Sequence, residues 1–141
     1  MGPRLRRVLR PESVPSRTKR SGGFFGGWLN PPPPEALLRL LGETDHSVLA
    51  GESGGTRVVG FVTALSDRVL SAYISLLEVA PEYRHQGIGS ELVRRILDEV
   101  GDLYMVDAVC DPEVVPFYSR LGFTRATAVS VRRYDKQAGG Y

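Results

Sequence analysis

The clearest periodicity in the chain runs over residues 87–100. Ile88, Leu92, Val93, Ile96, Leu97 and Val100 recur there at three- and four-residue intervals and predict an amphipathic helix. Gly101 offers its stop, and Glu91 stands four residues before Arg95, where the two charges meet on one face. Just upstream, residues 70–79 form an apolar run that reads as a strand, closed by Ala80-Pro81 because the residue ahead of a proline is pushed out of helical geometry. The rest of the chain alternates in the same way. Residues 4–10 predict a strand, 35–41 a short helix ended by Gly42, and 46–51 and 57–65 two strands hinged at Gly54-Gly55. After the long helix, 103–110 predicts a strand, 112–121 a second helix and 124–134 a last strand. Residues 13–34 are irregular, rich in glycine and proline.

This order places the chain in the α/β (α+β) class, with helices flanking a mixed sheet. At 141 residues it is expected to be one domain, 1–141, long enough to bury about two thirds of its extended surface. The strand before the long helix and the strand after it are joined by a helix, so they should run parallel and side by side.

Between strand 70–79 and the helix lies Arg84-His85-Gln86-Gly87-Ile88-Gly89. Its glycines let main-chain N–H groups turn inward at a helix start, where orphan donors and the helix dipole favour an anion such as a phosphate. No Gly-x-Gly-x-x-Gly string and no Gly-Lys-Ser or Gly-Lys-Thr occurs, which separates the loop from the two commonest nucleotide fingerprints. The stretch Arg84-x-x-Gly87-x-Gly89 resembles motif A of the Gcn5-related N-acetyltransferase (GNAT) superfamily. Val79-Ala80-Pro81-Glu82-Tyr83 is similar to that family's lead-in, and Phe117-Tyr118-Ser119-Arg120-Leu121-Gly122-Phe123 to its second hallmark helix.

The resemblance, which covers about residues 70–125, implies a mixed central sheet of about six to seven strands whose two parallel members splay into a slot for acyl-CoA. Main-chain groups of Leu77 and Val79 would hold the pantetheine arm. Arg84 and the amides of Gln86, Gly87, Ile88, Gly89 and Ser90 would belong to the pyrophosphate seat. Tyr118 would protonate the departing thiolate, and the Val79 N–H would polarise the thioester carbonyl. Acyl transfer to an amine also needs a base, since an ammonium has no lone pair. Glu78, a carboxylate in an otherwise apolar strand, is the first candidate, ahead of Asp107 and Asp111. Many relatives carry asparagine where this chain has Asp111.

The acceptor half of the site must come from the first part of the chain. Phe24, Phe25 and Trp28 lie between flexible glycines and four prolines, and read equally as a mobile lid with aromatic faces around the acceptor or as a plug on the core. Arg17 and Lys19 stand nearby in sequence.

Residues 1–20 hold seven basic side chains against one acidic, and the remainder eleven against fifteen. The basic start could meet nucleic acid, yet no nucleic-acid module accompanies it, and the acidic remainder suits an amine. A lone cysteine, Cys110, excludes an internal disulfide and reads as a small buried hydrophobe. With only His46 and His85 beside it, no metal centre is expected. No apolar run approaches the roughly 20 residues that span a bilayer, and the Arg-rich start lacks a signal core, so the expected compartment is the cytoplasm. The function expected is transfer of an acetyl group from acetyl-CoA, as cosubstrate, to a small-molecule or peptide primary amine by direct attack. The alternative is a catalytically weak acyl-CoA-binding regulatory module. Relatives that pair through edge strands leave a homodimer open, with 124–134 as the available strand.

Overall fold

Four strands make one sheet in the computed structural model, which describes residues 24–55 and 57–140: β1 (His46–Gly51), β2 (Val58–Ser66), β3 (Ser71–Val79) and β4 (Met105–Ala108), adjacent in that order. β1 and β2 pair antiparallel around the predicted glycine hinge, where Gly54 takes a left-handed φ of 73° and the Glu52 N–H donates to the Arg57 carbonyl. β2 and β3 also pair antiparallel. Their turn is tied by Asp67, whose carboxylate accepts the N–H groups of Val69, Leu70 and Ser71 at 2.9, 2.8 and 3.0 Å. These three bonds favour the charged form and hold the carboxyl well below its usual range.

From β3 the chain passes a 3-10 turn at Pro81–Tyr83 and enters α2 (Ile88–Val100), preceded by α1 (Pro34–Glu43) earlier in the chain. Gly101, with φ 85°, ends α2 by donating its N–H to the Leu97 carbonyl, and Arg95 donates to Glu91 at 3.0 Å. The chain then returns as β4, parallel to β3 as expected.

Alternate residues of the first two strands feed two cores. Val48, Ala50, Val59 and Val62 pack with Leu92, Val93 and Ile96 of α2. Leu49, Val58 and Phe61 pack with Leu37 and Leu41 of α1 and with Phe24 and Phe25. Full burial of each such aliphatic side chain contributes about 1.5–3 kcal/mol. Gly60 lets α2 approach the sheet: a Cβ there would lie 3.1 Å from the Glu78 carbonyl oxygen and 3.3 Å from Leu92 Cδ1.

Several expectations change. The predicted strand 4–10, Arg17 and Lys19 lie outside the described residues. Gly42 does not end α1, which continues to Glu43 and is closed by the Thr44 N–H on the Leu40 carbonyl. The helix predicted over 112–121 is a 3-10 turn, Pro112–Val114, followed by a five-residue α3 (Val115–Ser119), because Pro116 has no N–H to carry a longer helix through. Residues 124–133 form no strand. Their alternation of Val and Thr with small residues suits a strand, but a strand needs a hydrogen-bonding neighbour and the segment has none among the described residues. Four strands are described, and the six to seven expected are not shown among the described residues.

Candidate functional site

The pairing of the two parallel strands stops early. Ser71, Ala72, Tyr73 and Ile74 face Met105, Val106, Asp107 and Ala108, and there the ladder ends while β3 continues to Val79 with no strand bonded on that side. The opposite edge is irregular at the same place. The β2–β3 register shifts between Thr63, opposite Leu76, and Ala64, opposite Ile74, so Ser75 is an extra residue in β3. Such a bulge bends the strand and increases its twist. The Ser75 hydroxyl shares a 2.8 Å hydrogen bond with the fully buried hydroxyl of Thr63, which satisfies that polar group in the core. Neither Ser75 nor Thr63 stood out in the sequence, since a bulge leaves no mark on a two-residue alternation.

At the far end of this gap the motif loop adopts the conformation its glycines suggested. His85 and Gly87 both take left-handed φ, 62° and 83°. Gly87 precedes α2 with no side-chain cap, and the first helical hydrogen bond runs from the Glu91 N–H to the Gly87 carbonyl at 3.1 Å. The N–H groups of Ile88, Gly89 and Ser90 have no partner among the described residues. A Cβ on Gly89 would touch the Phe117 ring at 3.6 Å and Val79 Cγ2 at 3.8 Å, so this glycine borders the space between β3 and α3. Leu77 and Val79 lie on the same edge, packed against the α2 core. Gln86 is exposed, and the Arg84 guanidinium turns back to donate to the Val79 carbonyl at 3.2 Å.

α3 brings Tyr118 to this edge. The Tyr118 ring is buried between Phe117 and Phe123, with centroids 5.0 and 5.1 Å away in edge-to-face packing. Burial, reinforced by Cys110 and Tyr73, pushes its hydroxyl up to about 12. Among the described residues that hydroxyl has no hydrogen-bond partner. The company of Cys110 and Tyr73 was not readable from sequence positions so far apart; Cys110 is half-buried and packs against the core, as expected of a small hydrophobe.

Glu78 lies on the other face of the sheet. It is in register with Phe61, between Leu77 and Val79, which point toward α2. Burial raises its carboxyl above the ordinary 4.5, and the Phe25 main-chain N–H and the Arg84 charge partly offset this. Phe24 and Phe25 are buried against Phe61, with centroids 5.0 and 6.1 Å away, and Trp28 packs on Phe25 at 4.7 Å. The aromatic turn is therefore packed on the core, with its Phe25 N–H on the half-buried Glu78. Phe25 itself sits at φ 61°, a strained conformation for a bulky residue. Asp107 and Asp111 are exposed, and the Asp111 side chain caps nothing. Among the described residues no cluster of His, Cys, Asp or Glu is placed to hold a metal ion, and no helix is long and apolar enough to cross a membrane.

Comparison with known proteins agrees with this geometry. The family model described as Acetyltransferase (GNAT) family matches residues 15–123. A crystal structure of a candidate acetyltransferase from Deinococcus radiodurans R1 is 53% identical, with a TM-score of 0.84 over 93% of this chain and 86% of that one. The uncharacterized N-acetyltransferase ycf52 of Pyropia yezoensis is 24% identical over 102 residues, 70% of this chain and 59% of the relative, so the chain spans little more than half of that protein's length. At 20% identity, the aminoglycoside N-acetyltransferase AAC(6')-Iy, solved with CoA, shares the fold with a TM-score of 0.52 over 72% of this chain and 75% of that one. The chain belongs to the GNAT acetyltransferase family.

Proposed function

We propose that this chain, acting as a single domain over residues 1–141, transfers an acetyl group from acetyl-CoA to a primary amine by direct attack. The observation that carries the reading is the end of β3–β4 pairing at Ile74 and Ala108, beside three helix-start amides with no partner among the described residues. The free edge at Leu77 and Val79 suits an extended amide-bearing arm. The amides of Ile88, Gly89 and Ser90, behind Gln86 and the left-handed Gly87, suit a diphosphate. These residues fit the coenzyme on backbone grounds alone.

Acetyl-CoA supplies the acyl group already activated as a thioester. The Val79 N–H is the donor proposed for the carbonyl oxygen. Glu78 takes one proton from the acceptor's ammonium and frees the nitrogen lone pair; as the C–N bond forms and the C–S bond breaks, the nitrogen's second proton passes to the departing thiolate, leaving the amide and the free thiol. The raised pKa of Glu78 makes it a stronger base than an ordinary carboxylate. Tyr118 faces the departing sulfur. A hydroxyl near 12 does not surrender its proton outright to a thiolate whose conjugate acid lies near ~8.5, so Tyr118 serves chiefly as a neutral hydrogen-bond donor. Phe24, Phe25 and Trp28 form the acceptor side, and the acceptor is a small-molecule or peptide amine. The proposed setting is the cytoplasm.

One observation favours a second reading. Glu78 is half-buried and held by the Phe25 main-chain N–H, and a base that stays so engaged leaves a coenzyme-binding module with little turnover. CoA binding without thiol release across a broad amine panel would select it.

Calorimetric titration of CoA into Gly89→Trp tests the main proposal. The indole would fill the space between Val79 and Phe117, and affinity should fall about 100-fold or more, roughly 2.8 kcal/mol, with the fold retained by circular dichroism. Unchanged affinity in a folded variant would refute the coenzyme site.

A further inference from the structure

The chain after α3 comes back to the aromatic turn. It forms a 3-10 turn at Tyr134–Lys136, and two hydrogen bonds tie it there to a residue more than a hundred positions earlier. Asn30 Nδ2 donates to the Tyr134 carbonyl at 3.2 Å, and the Asn30 main-chain N–H donates to Gln137 Oε1 at 2.7 Å. Past these ties Gly139 lies against α1, where a Cβ on it would meet Ala36 Cβ at 3.6 Å. Gln137 and Ala138 are half-buried, whereas residues 124–136 are exposed.

Asn30 stands at the root of the turn that carries Phe24, Phe25 and Trp28. On one side of it Pro31 to Pro34 restrict the backbone and lead directly into α1. On the other side Gly26 and Gly27 are exposed, Gly27 takes φ 83°, and a Cβ on either would meet nothing within 4 Å. A pull at Asn30 is therefore resisted by the prolines and answered by the glycines. The turn is also loaded. Phe25 keeps φ 61°, which a bulky residue holds only where its surroundings over-determine it. Phe61 and Trp28 pack on its ring, its carbonyl accepts the Trp28 N–H at 3.1 Å, and its own N–H donates to Glu78. The two bonds at Asn30 add a tie from the far end of the described residues. Both are exposed, and exposed hydrogen bonds contribute little net free energy, so they can bias the turn and still open.

We propose that Asn30 and Gln137 are positioning residues acting through this turn: their clamp holds Phe25 down on Glu78, and its release lets the turn lift and the acceptor amine reach the carboxylate. The proposal rests on the reading of Glu78 as the base and of the aromatic turn as the acceptor side. It makes the segment from Tyr134 to Gly139 a brake on acceptor entry. Coenzyme binding is independent of it, because the amides proposed for the diphosphate belong to α2, whereas the clamp joins residues ahead of α1 to residues after α3.

Asn30→Ala removes one bond, Gln137→Ala removes the other, and Gln137→Glu keeps an acceptor oxygen in the same place. Hydrogen exchange reads the turn without reference to activity. The Phe25 and Trp28 amides should exchange about 10-fold faster in both alanine variants and at the parent rate in Gln137→Glu, with circular dichroism unchanged. In acetyl transfer the KM for the amine should fall about 10-fold in the alanine variants, while kcat and the calorimetric affinity for CoA keep the parent values. Unaltered exchange in both alanine variants would overturn the clamp. Faster exchange with an unaltered amine KM would overturn its role in acceptor entry. A parent chain that binds CoA yet releases no thiol across an amine panel would instead refute the underlying reading of the site, and the gating role with it.

Discussion

Two side chains on opposite faces of the sheet, Tyr118 and Glu78, carry the proposed chemistry. Tyr118 is held neutral by burial, so its proton is present across the working pH range. Tyr118→Phe keeps the ring packing and removes only the hydroxyl. It should lower kcat about 10- to 100-fold with little change in CoA affinity, and an unchanged kcat would remove Tyr118 from the reaction. Glu78 titrates above the ordinary 4.5 because it is buried. Over the window from 4.5 up to its raised value the folded chain binds a proton that the unfolded chain has lost, so stability falls as pH rises through that window. Glu78→Gln should abolish this part of the pH dependence of the melting temperature. It should also lower kcat about 100-fold or more and flatten the acid limb of the pH–rate profile; an unaltered profile would exclude Glu78 as the base. Glu78 was conspicuous as a charge among apolar neighbours, but that the Phe25 N–H meets it depends on a contact spanning more than fifty residues, which no local pattern encodes.

Strands and helices differ in how openly the sequence announces them. α2 and β1 to β3 were plain because their faces are filled by long, regular periods and bounded by Gly and Pro. The second helix was overread because Pro116 weighs more in a short segment than the flanking cap signals do. Strand 124–134 was overread for another reason: alternation describes a surface that fits a sheet, without saying which sheet. A parting of β3 from β4 was inferred only from the family resemblance; that their pairing ends at Ile74, next to the Ser75 bulge, required the pairing register. Two substitutions probe these elements. Gly60→Val brings a methyl-bearing carbon against the Glu78 carbonyl oxygen, which cannot rotate away, and should cost about 1–3 kcal/mol in denaturant unfolding; an unchanged midpoint would show that α2 has slack over β2. Asp67→Ala frees three amides of the β2–β3 turn and should lower the melting temperature at pH 7. Because that carboxyl is depressed in the fold, its contribution is present above 3.8 and fades as pH falls toward its lowered value, so the gap between variant and parent should narrow in acid.

At the scale of the molecule, the proposed coenzyme half and the proposed acceptor half are built from different materials. The first is backbone: a truncated ladder, expected only from the family resemblance, and a glycine loop and the start of a helix, both legible through motif spacing. The second is a cluster of aromatic side chains whose arrangement owes nothing to a repeat and was readable only as composition. Trp28 belongs to this second half and is the sole tryptophan in the chain, stacked on Phe25 over the strand that carries Glu78. The protein thus carries its own optical reporter at the place where the proposed reaction would admit an amine. On the proposed reading, an acceptor that lifts the turn should change the indole emission, and ligand screening by fluorescence would test it before a single turnover is measured.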